Sequence, residues 1–343
     1  MYKYKYTFFG ETMSIELKNK VKCHYLTILL SCAAILIGAL GSFLHIDGFW
    51  LIPVTAALLA TLFTVEKKRI LSVAVSAFLI ITEIIIGASG YFSPISLSSV
   101  MIALIISVCY IKKTDKFDCA LFAILVTVVA LASSALLFII DLSGASSVIE
   151  AYDYFLEFYE GLKDSVTESL MNTTAGATAN NPALSADYIG ELFDAYLNCF
   201  VALFTILAFV IVGITLKIFL KLINSLTEAS DKTRTWNFVP PRMFAYFYFA
   251  LAILSIFKMN MESVLAVSIL NLYMIFMFVF AYVGYKFITA MLKSSGKSTF
   301  SANATVIVLT LLFSSFALQM LAVAGAFAVI KFAKISPNTK IQK

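Results

Sequence analysis

Charge is scarce in this sequence. Only 13% of its 343 residues are Asp, Glu, Lys or Arg, about half the share usual in a soluble domain. Arginine occurs only at Arg69, Arg234 and Arg242, and histidine only at His24 and His45. So few charges exclude an ordinary soluble globular chain, and so few histidines argue against a histidine-based metal site. Catalytic signatures are missing too. The chain has no HExxH, no GxSxG, no Walker loop and no GxGxxG. Gly296 of "SSGKS" stands alone and makes no phosphate loop. The five cysteines, Cys23, Cys32, Cys109, Cys119 and Cys199, form no CxxC pair and read as small apolar core residues. No cofactor, metal or enzymatic activity is expected. The net charge of +5 is too diffuse to imply nucleic acid.

What the chain does have is apolar length. It is 61% hydrophobic, with a mean hydropathy of +0.94, and its apolar runs are continuous. They approach the roughly 20 residues that a helix needs to cross a bilayer, and they lack the alternation of a membrane barrel. The expectation is an all-α polytopic transmembrane helix bundle of 9–10 spans. The spans fall near 26–46, 49–65, 70–89, 95–111, 119–140, 195–220, 243–258, 262–290 and 303–332. The first has no cleavage site behind its lysine-bearing segment and reads as a retained helix.

Orientation follows the basic residues, which stay in the cytoplasm. The tail before the first span, "EKKR" (66–69), "KKTDK" (112–116), the loop 221–242 and "KSSGK" (293–297) all fall on one side. The opposite loops hold a single lysine, Lys163. The N-terminus is therefore expected in the cytoplasm, in the inner membrane of the cell. The last apolar run is ambiguous. Its length suits one tilted helix, whereas the basic tail after it favours a hairpin folded near Ser314 and Ser315, and charge is given the greater weight. The layout is a cytoplasmic tail 1–25, spans one to five over 26–140, an acidic extracytoplasmic segment 141–194, spans six to nine over 195–332 and a basic tail 333–343.

Segment 141–194 carries ten acids and one base, half of all the carboxylates in the chain. Val148, Tyr152, Phe155, Tyr159, Leu162, Val166 and Leu170 recur at helical spacing, and Glu150, Asp153, Glu157, Glu160, Asp164 and Glu168 follow the same rhythm, displaced. This predicts one amphipathic helix at 147–171, with its apolar stripe packed on the ends of the spans. An acidic face suits a lid or a docking face for a basic partner, not anionic lipid. Residues 172–190 read as a linker.

Ionisable side chains inside a membrane cost about 2.5–3.5 kcal/mol at the centre and are functional candidates by default. Glu83, in "LIITEIIIGASG", is the clearest, either as a ligand or proton site or as a hydrogen-bonded structural group. Asp194 and Asn198, one turn apart at the start of the sixth span, join it as a candidate ligand-binding set. Asn271 and Gln319 read as interhelical glue, and Lys217, Lys258 and Lys286 as snorkelling anchors. Ala34, Gly38 and Ser42 form a small-residue packing face on the first span; Ala322, Gly325 and Ala326 form another in the last.

In "TRTWNFVPPRMFAYF", Trp236, Pro241 and Arg242 read as membrane-interface anchors, with Pro240 and Pro241 ending a loop and starting a helix. Five spans, an acidic outer helix, a sixth span, a basic loop and this Trp–Pro–Pro–Arg helix start together resemble the YybS-like family of multi-pass membrane proteins of Gram-positive bacteria, a domain-of-unknown-function family. That family is distantly similar to the substrate-binding S components of energy-coupling-factor transporters. The resemblance implies a transporter-like fold and a ligand site opening outward. It also implies contact with another membrane subunit through small residues of the first helix, here Ala34 and Gly38. The chain departs from S components in its larger number of spans and its short outer loop "HIDG" (45–48).

Two functions are therefore expected. The first is binding of a small solute from the extracytoplasmic side. The alternative is a non-transporting scaffold that organises envelope proteins. The lipid bilayer is the first partner in either case.

Overall fold

The structure, a computed structural model, describes residues 2–8, 11–17, 20–66, 69–88, 95–173, 186–226, 238–256 and 264–332. It is an all-α helix bundle preceded by a short β-ribbon. Among the described residues, six helical segments are long and apolar enough to cross a membrane: Tyr25–Phe43, Gly48–Val65, Ile70–Gly87, Lys116–Ser143, Phe200–Leu226 and Val264–Ser294. Trp236, Lys258, Arg234, most of the linker (174–185) and the basic tail (333–343) lie outside the described residues.

The N-terminal segment differs from the expected tail. Strands β1 (Tyr2–Phe8) and β2 (Glu11–Leu17) pair antiparallel, with Tyr2 opposite Leu17 and Phe8 opposite Glu11. The reason is visible in "YKYKY", where aromatic and polar residues alternate with the period of a strand. The first helix, α1, then starts at Lys20 and ends at Phe43.

The helices fall into two compact units. The first holds Met1–Asp194 and Leu207–Trp236. In it a 3-10 turn (His45–Leu51) leads into α2 (Ile52–Val65), followed by α3 (Ile70–Ala88), α4 (Ile95–Ile111) and α5 (Lys116–Ser143). α2 is apolar on all sides and sits among α1, α3 and α4, with every residue but Val54 buried. α6 (Val148–Thr173) closely matches the expected amphipathic helix. It opens with a capping box: the Glu150 amide donates to Ser147 Oγ, and Glu150 Oε2 accepts from the Ser146 amide and hydroxyl. Those bonds hold the Glu150 carboxyl below its ordinary range.

The second unit holds Ala195–Ile206 and Asn237–Lys343. Its core lies between α9 (Arg242–Ile256), α10 (Val264–Ser294) and α11 (Thr299–Phe332), around Tyr248, Phe280, Val306, Ala322 and Ala326. Tyr248 stacks on Tyr273, and Phe244 on Phe276. α11 overturns the expected hairpin: its backbone is helical without a break, about 51 Å long at 1.5 Å per residue. Neither glycine nor proline stands at 314–315, so no residue there is built to end a helix.

Two more helices span the boundary between the units in sequence. α7 (Ala186–Asn198) is a second short amphipathic helix, and α8 is Phe200–Leu226. The expected span 195–220 is thus broken at Cys199 and starts later.

Candidate functional site

Polar side chains buried in apolar helices are mostly hydrogen-bonded, and the structure shows where Glu83 and Asn271 find their partners. Glu83, on α3, is 2% exposed. Its Oε1 accepts from the Ser96 amide at 2.7 Å and its Oε2 from the Leu97 amide at 3.0 Å. Those amides belong to the first turn of α4, where no intrahelical acceptor exists. Glu83 is therefore an interhelix cap, bonding amides that the first turn of α4 leaves without a backbone acceptor.

The polar chain continues to α1. Ser96 Oγ and Ser42 Oγ are 2.7 Å apart, and Ser42 also donates to the Gly38 carbonyl at 3.3 Å. Gly38 itself lets α1 approach its neighbours, since a Cβ there would sit 2.7 Å from Leu79 of α3 and 3.1 Å from Thr55 of α2. Ala34 is fully buried. On the small-residue face of the first span, Gly38 and Ser42 thus meet the chain's own α2, α3 and α4.

Asn271, on α10, is 6% exposed and does for α8 what Glu83 does for α4. Its Oδ1 accepts from the Ala202 amide at 2.8 Å, in the first turn of α8. Its Nδ2 donates to the Asn198 carbonyl at 2.6 Å, at the end of α7, and to the Val267 carbonyl at 2.9 Å. One amide group thus serves both sides of the break at Cys199. Asn271→Leu is expected to lower stability by about 1–2 kcal/mol through the lost cap, and to free the α7–α8 junction. Thermal melting of the purified protein, with amide exchange at Ala202, checks both.

Glu66 caps in the same way within one connection. Its carboxylate accepts from the Leu71 amide (2.7 Å), the Ser72 amide (2.6 Å) and the Ser72 hydroxyl (2.5 Å) at the start of α3.

Asp194 is exposed and pairs with Lys163 of α6 at 3.0 Å. Tyr159 donates its hydroxyl to the neighbouring Phe193 carbonyl, and its ring meets that of Phe193 edge-on. The bond to Asp194 holds the Lys163 ammonium above its ordinary range. A raised folded value means that the pair stabilises the α6–α7 contact below the ordinary lysine range, about pH 10.4, and stops doing so as pH rises past the folded value. Being exposed, it is weak. Spin labels on α6 and α7 should show one distance at neutral pH and a broadened one in strong alkali. In Asp194→Asn the broadening should be present at every pH.

The expected set Glu83, Asp194 and Asn198 therefore has separate engagements: backbone amides, Lys163, and a carbonyl bonded by Asn271. Pro241 immediately precedes α9, and its carbonyl accepts from the Phe244 amide at 3.1 Å. Arg242 is the first residue of α9, with Nε and Nη2 buried and without a partner. Lys286 lies over the Tyr282 ring, 5.5 Å from its centre. Gln319 is exposed on α11.

The stripe on α6 also departs from expectation. Ala151 is buried and Phe155, Tyr159 and Val166 are half-buried, but Val148, Tyr152 and Leu162 stay exposed. α7 exposes Tyr188, Leu192 and Tyr196 in addition. Among the described residues, no group of three or more His, Cys, Asp or Glu side chains is placed to hold a metal ion. The chain matches no family profile, no curated protein and no solved structure.

Proposed function

We propose that the chain is a non-catalytic, multi-pass scaffold of the cytoplasmic membrane, of the YybS-like layout and with its N-terminus inside. It would present α6 and α7 on the outer side to a partner carrying basic charge. One observation carries this reading. Glu83 and Asn271, buried in the apolar helices, are engaged by helix termini, while the acids of α6 stay exposed beside exposed Tyr152 and Leu162. Acidic groups interleaved with exposed aromatic and aliphatic side chains are what a protein-binding face offers. Solute binding from outside would need polar groups that converge on a cavity and remain free to reach it. The basic residues of the connecting loops support the orientation.

A photo-reactive residue at Glu157 in native membranes tests the proposal. The scaffold reading expects a crosslink to another envelope protein that weakens as salt is raised, because exposed charges are screened. Absence of any such crosslink, with stabilisation of the purified protein by a small solute, would favour the transporter-like reading. A cysteine at Glu157, and not one at Ser295, should react with an impermeant maleimide from outside in an otherwise cysteine-free chain. The reverse would overturn the orientation.

A further inference from the structure

The β1–β2 ribbon divides its residues between two faces of opposite character. Residues directly opposite in an antiparallel pair share a face, and the faces alternate along each strand. The pairs Tyr2–Leu17, Tyr4–Ile15, Tyr6–Met13 and Phe8–Glu11 therefore lie on one face, and Lys3–Glu16, Lys5–Ser14 and Thr7–Thr12 on the other. The first face is aromatic or aliphatic at every position but Glu11, which stands beside the turn. Every position of the second is polar. A slip of one residue would mix the two sets, so the sequence pattern and the register specify the same two-sided ribbon. Among the described residues, the strands pack on each other and on no helix to a comparable extent. A two-stranded ribbon is at best marginally stable alone in water, so this apolar face needs a surface to lie on.

The attachment of the ribbon supplies that surface. β2 ends at Leu17 and α1 begins at Lys20, a connection that spans at most about 11 Å. From Lys20 to Tyr25, where the membrane-crossing segment begins, the helix rises only about 8 Å. β2 is therefore tethered beside the polar layer of the bilayer. Tyrosine is enriched in that layer, and Tyr2, Tyr4 and Tyr6 all fall on the apolar face. Lys3, Lys5, Lys18, Lys20 and Lys22 outnumber Glu11 and Glu16 over residues 2–22, and lysines close to an anionic leaflet are attracted to it. We propose that the ribbon is an amphipathic β-anchor, with its apolar face laid on the anionic headgroup layer around the start of α1 and its polar face toward water. Tether, tyrosines and charge all match lipid, and lipid lies within reach of the ribbon in every copy of the chain. The inference rests on α1 crossing the bilayer and is independent of the partner proposed for α6 and α7.

The experiment places photo-reactive benzoylphenylalanine at single positions of the full-length chain, reconstituted in vesicles of phosphatidylcholine and phosphatidylglycerol at about three to one. After irradiation, the mass of the intact chain is read for lipid adducts. Tyr4, Tyr6 and Ile15 report the apolar face, and Lys3, Lys5 and Ser14 the polar face. Leu36, exposed on α1, reports lipid contact of the span itself. The expected result is a lipid adduct at Leu36, Tyr4, Tyr6 and Ile15, several-fold stronger than at Lys3, Lys5 and Ser14. In pure phosphatidylcholine the adducts on the ribbon should weaken while that at Leu36 holds. Both strands carry probes, so the alternation stays readable where one variant fails to fold. Equal yields on the two faces would overturn the proposal, as would ribbon yields indifferent to phosphatidylglycerol. Crosslinks from Tyr4 or Tyr6 to a helix of the chain or to a second copy would also overturn it, by placing protein on that face. A lipid adduct at Leu36 with none on the ribbon sinks the anchor alone. No adduct at Leu36 would remove the span, and the anchor with it.

Discussion

Gly325→Ala is expected to destabilise the α10–α11 pair strongly. A Cβ on Gly325 would lie 2.0 Å from the Phe280 carbonyl oxygen and 2.6 Å from the Gly284 amide nitrogen. A Cβ on Gly284 would lie 1.9 Å from the Leu321 carbonyl oxygen. These obstacles are backbone atoms of a facing helix, so no side chain can rotate away, and the two helices must separate. Overpacking costs about 1–3 kcal/mol, and separation also removes contacts made by Phe280, Ala322 and Ala326. Melting of the purified protein should place Gly325→Ala and Gly284→Ala well below wild type. Gly213→Ala is the control. A Cβ there meets nothing within 4 Å, and alanine is the better helix former by about 1 kcal/mol, so that variant should be unchanged or more stable. Equal melting of all three would show that the crossing is not as close as described.

The second large effect concerns Glu83. Treated as an isolated hydrogen-bonding group, glutamate should tolerate replacement by glutamine, which keeps an acceptor of similar size. The geometry changes that expectation. Both oxygens accept from backbone amides, at Ser96 and Leu97, and glutamine offers one oxygen and one NH2. Whichever way the amide turns, one N–H faces another donor. Glu83→Gln should therefore cost about 1–3 kcal/mol, the penalty of one unsatisfied buried donor. Glu83→Leu, which leaves both amides unpaired, should cost more. The predicted order of melting is wild type, Gln, Leu. A glutamine variant as stable as wild type would remove the cap from the account.

Much of the fold was legible because its signals are local. Long apolar runs gave the helices, and the spacing of Val148, Tyr152, Phe155 and Tyr159 gave α6 almost to its ends. The roles of Glu83 and Asn271 were only half legible. Their burial in apolar helices announced that partners exist, and the partners are backbone amides in distant segments, which carry no residue-type signature. The small ladder of Ala34, Gly38 and Ser42 was visible, but what it packs against was not, since any helix would satisfy it. The break at Cys199 lacked a proline or glycine to mark it, and depends on Asn271 from another helix.

The central claim is that Glu83 and Asn271, buried in these helices, cap other helices. Amide hydrogen exchange at Ser96 and Leu97 tests it most directly, in wild type and in Glu83→Leu under the same detergent conditions. If Glu83 caps α4, both amides exchange slowly in wild type, and they speed up in the variant while amides in the middle of α4, such as Ile106, keep their rates. Exchange in wild type as fast as at the exposed turn residue Gly144, or rates at Ser96 and Leu97 that Glu83→Leu leaves unchanged, would contradict it.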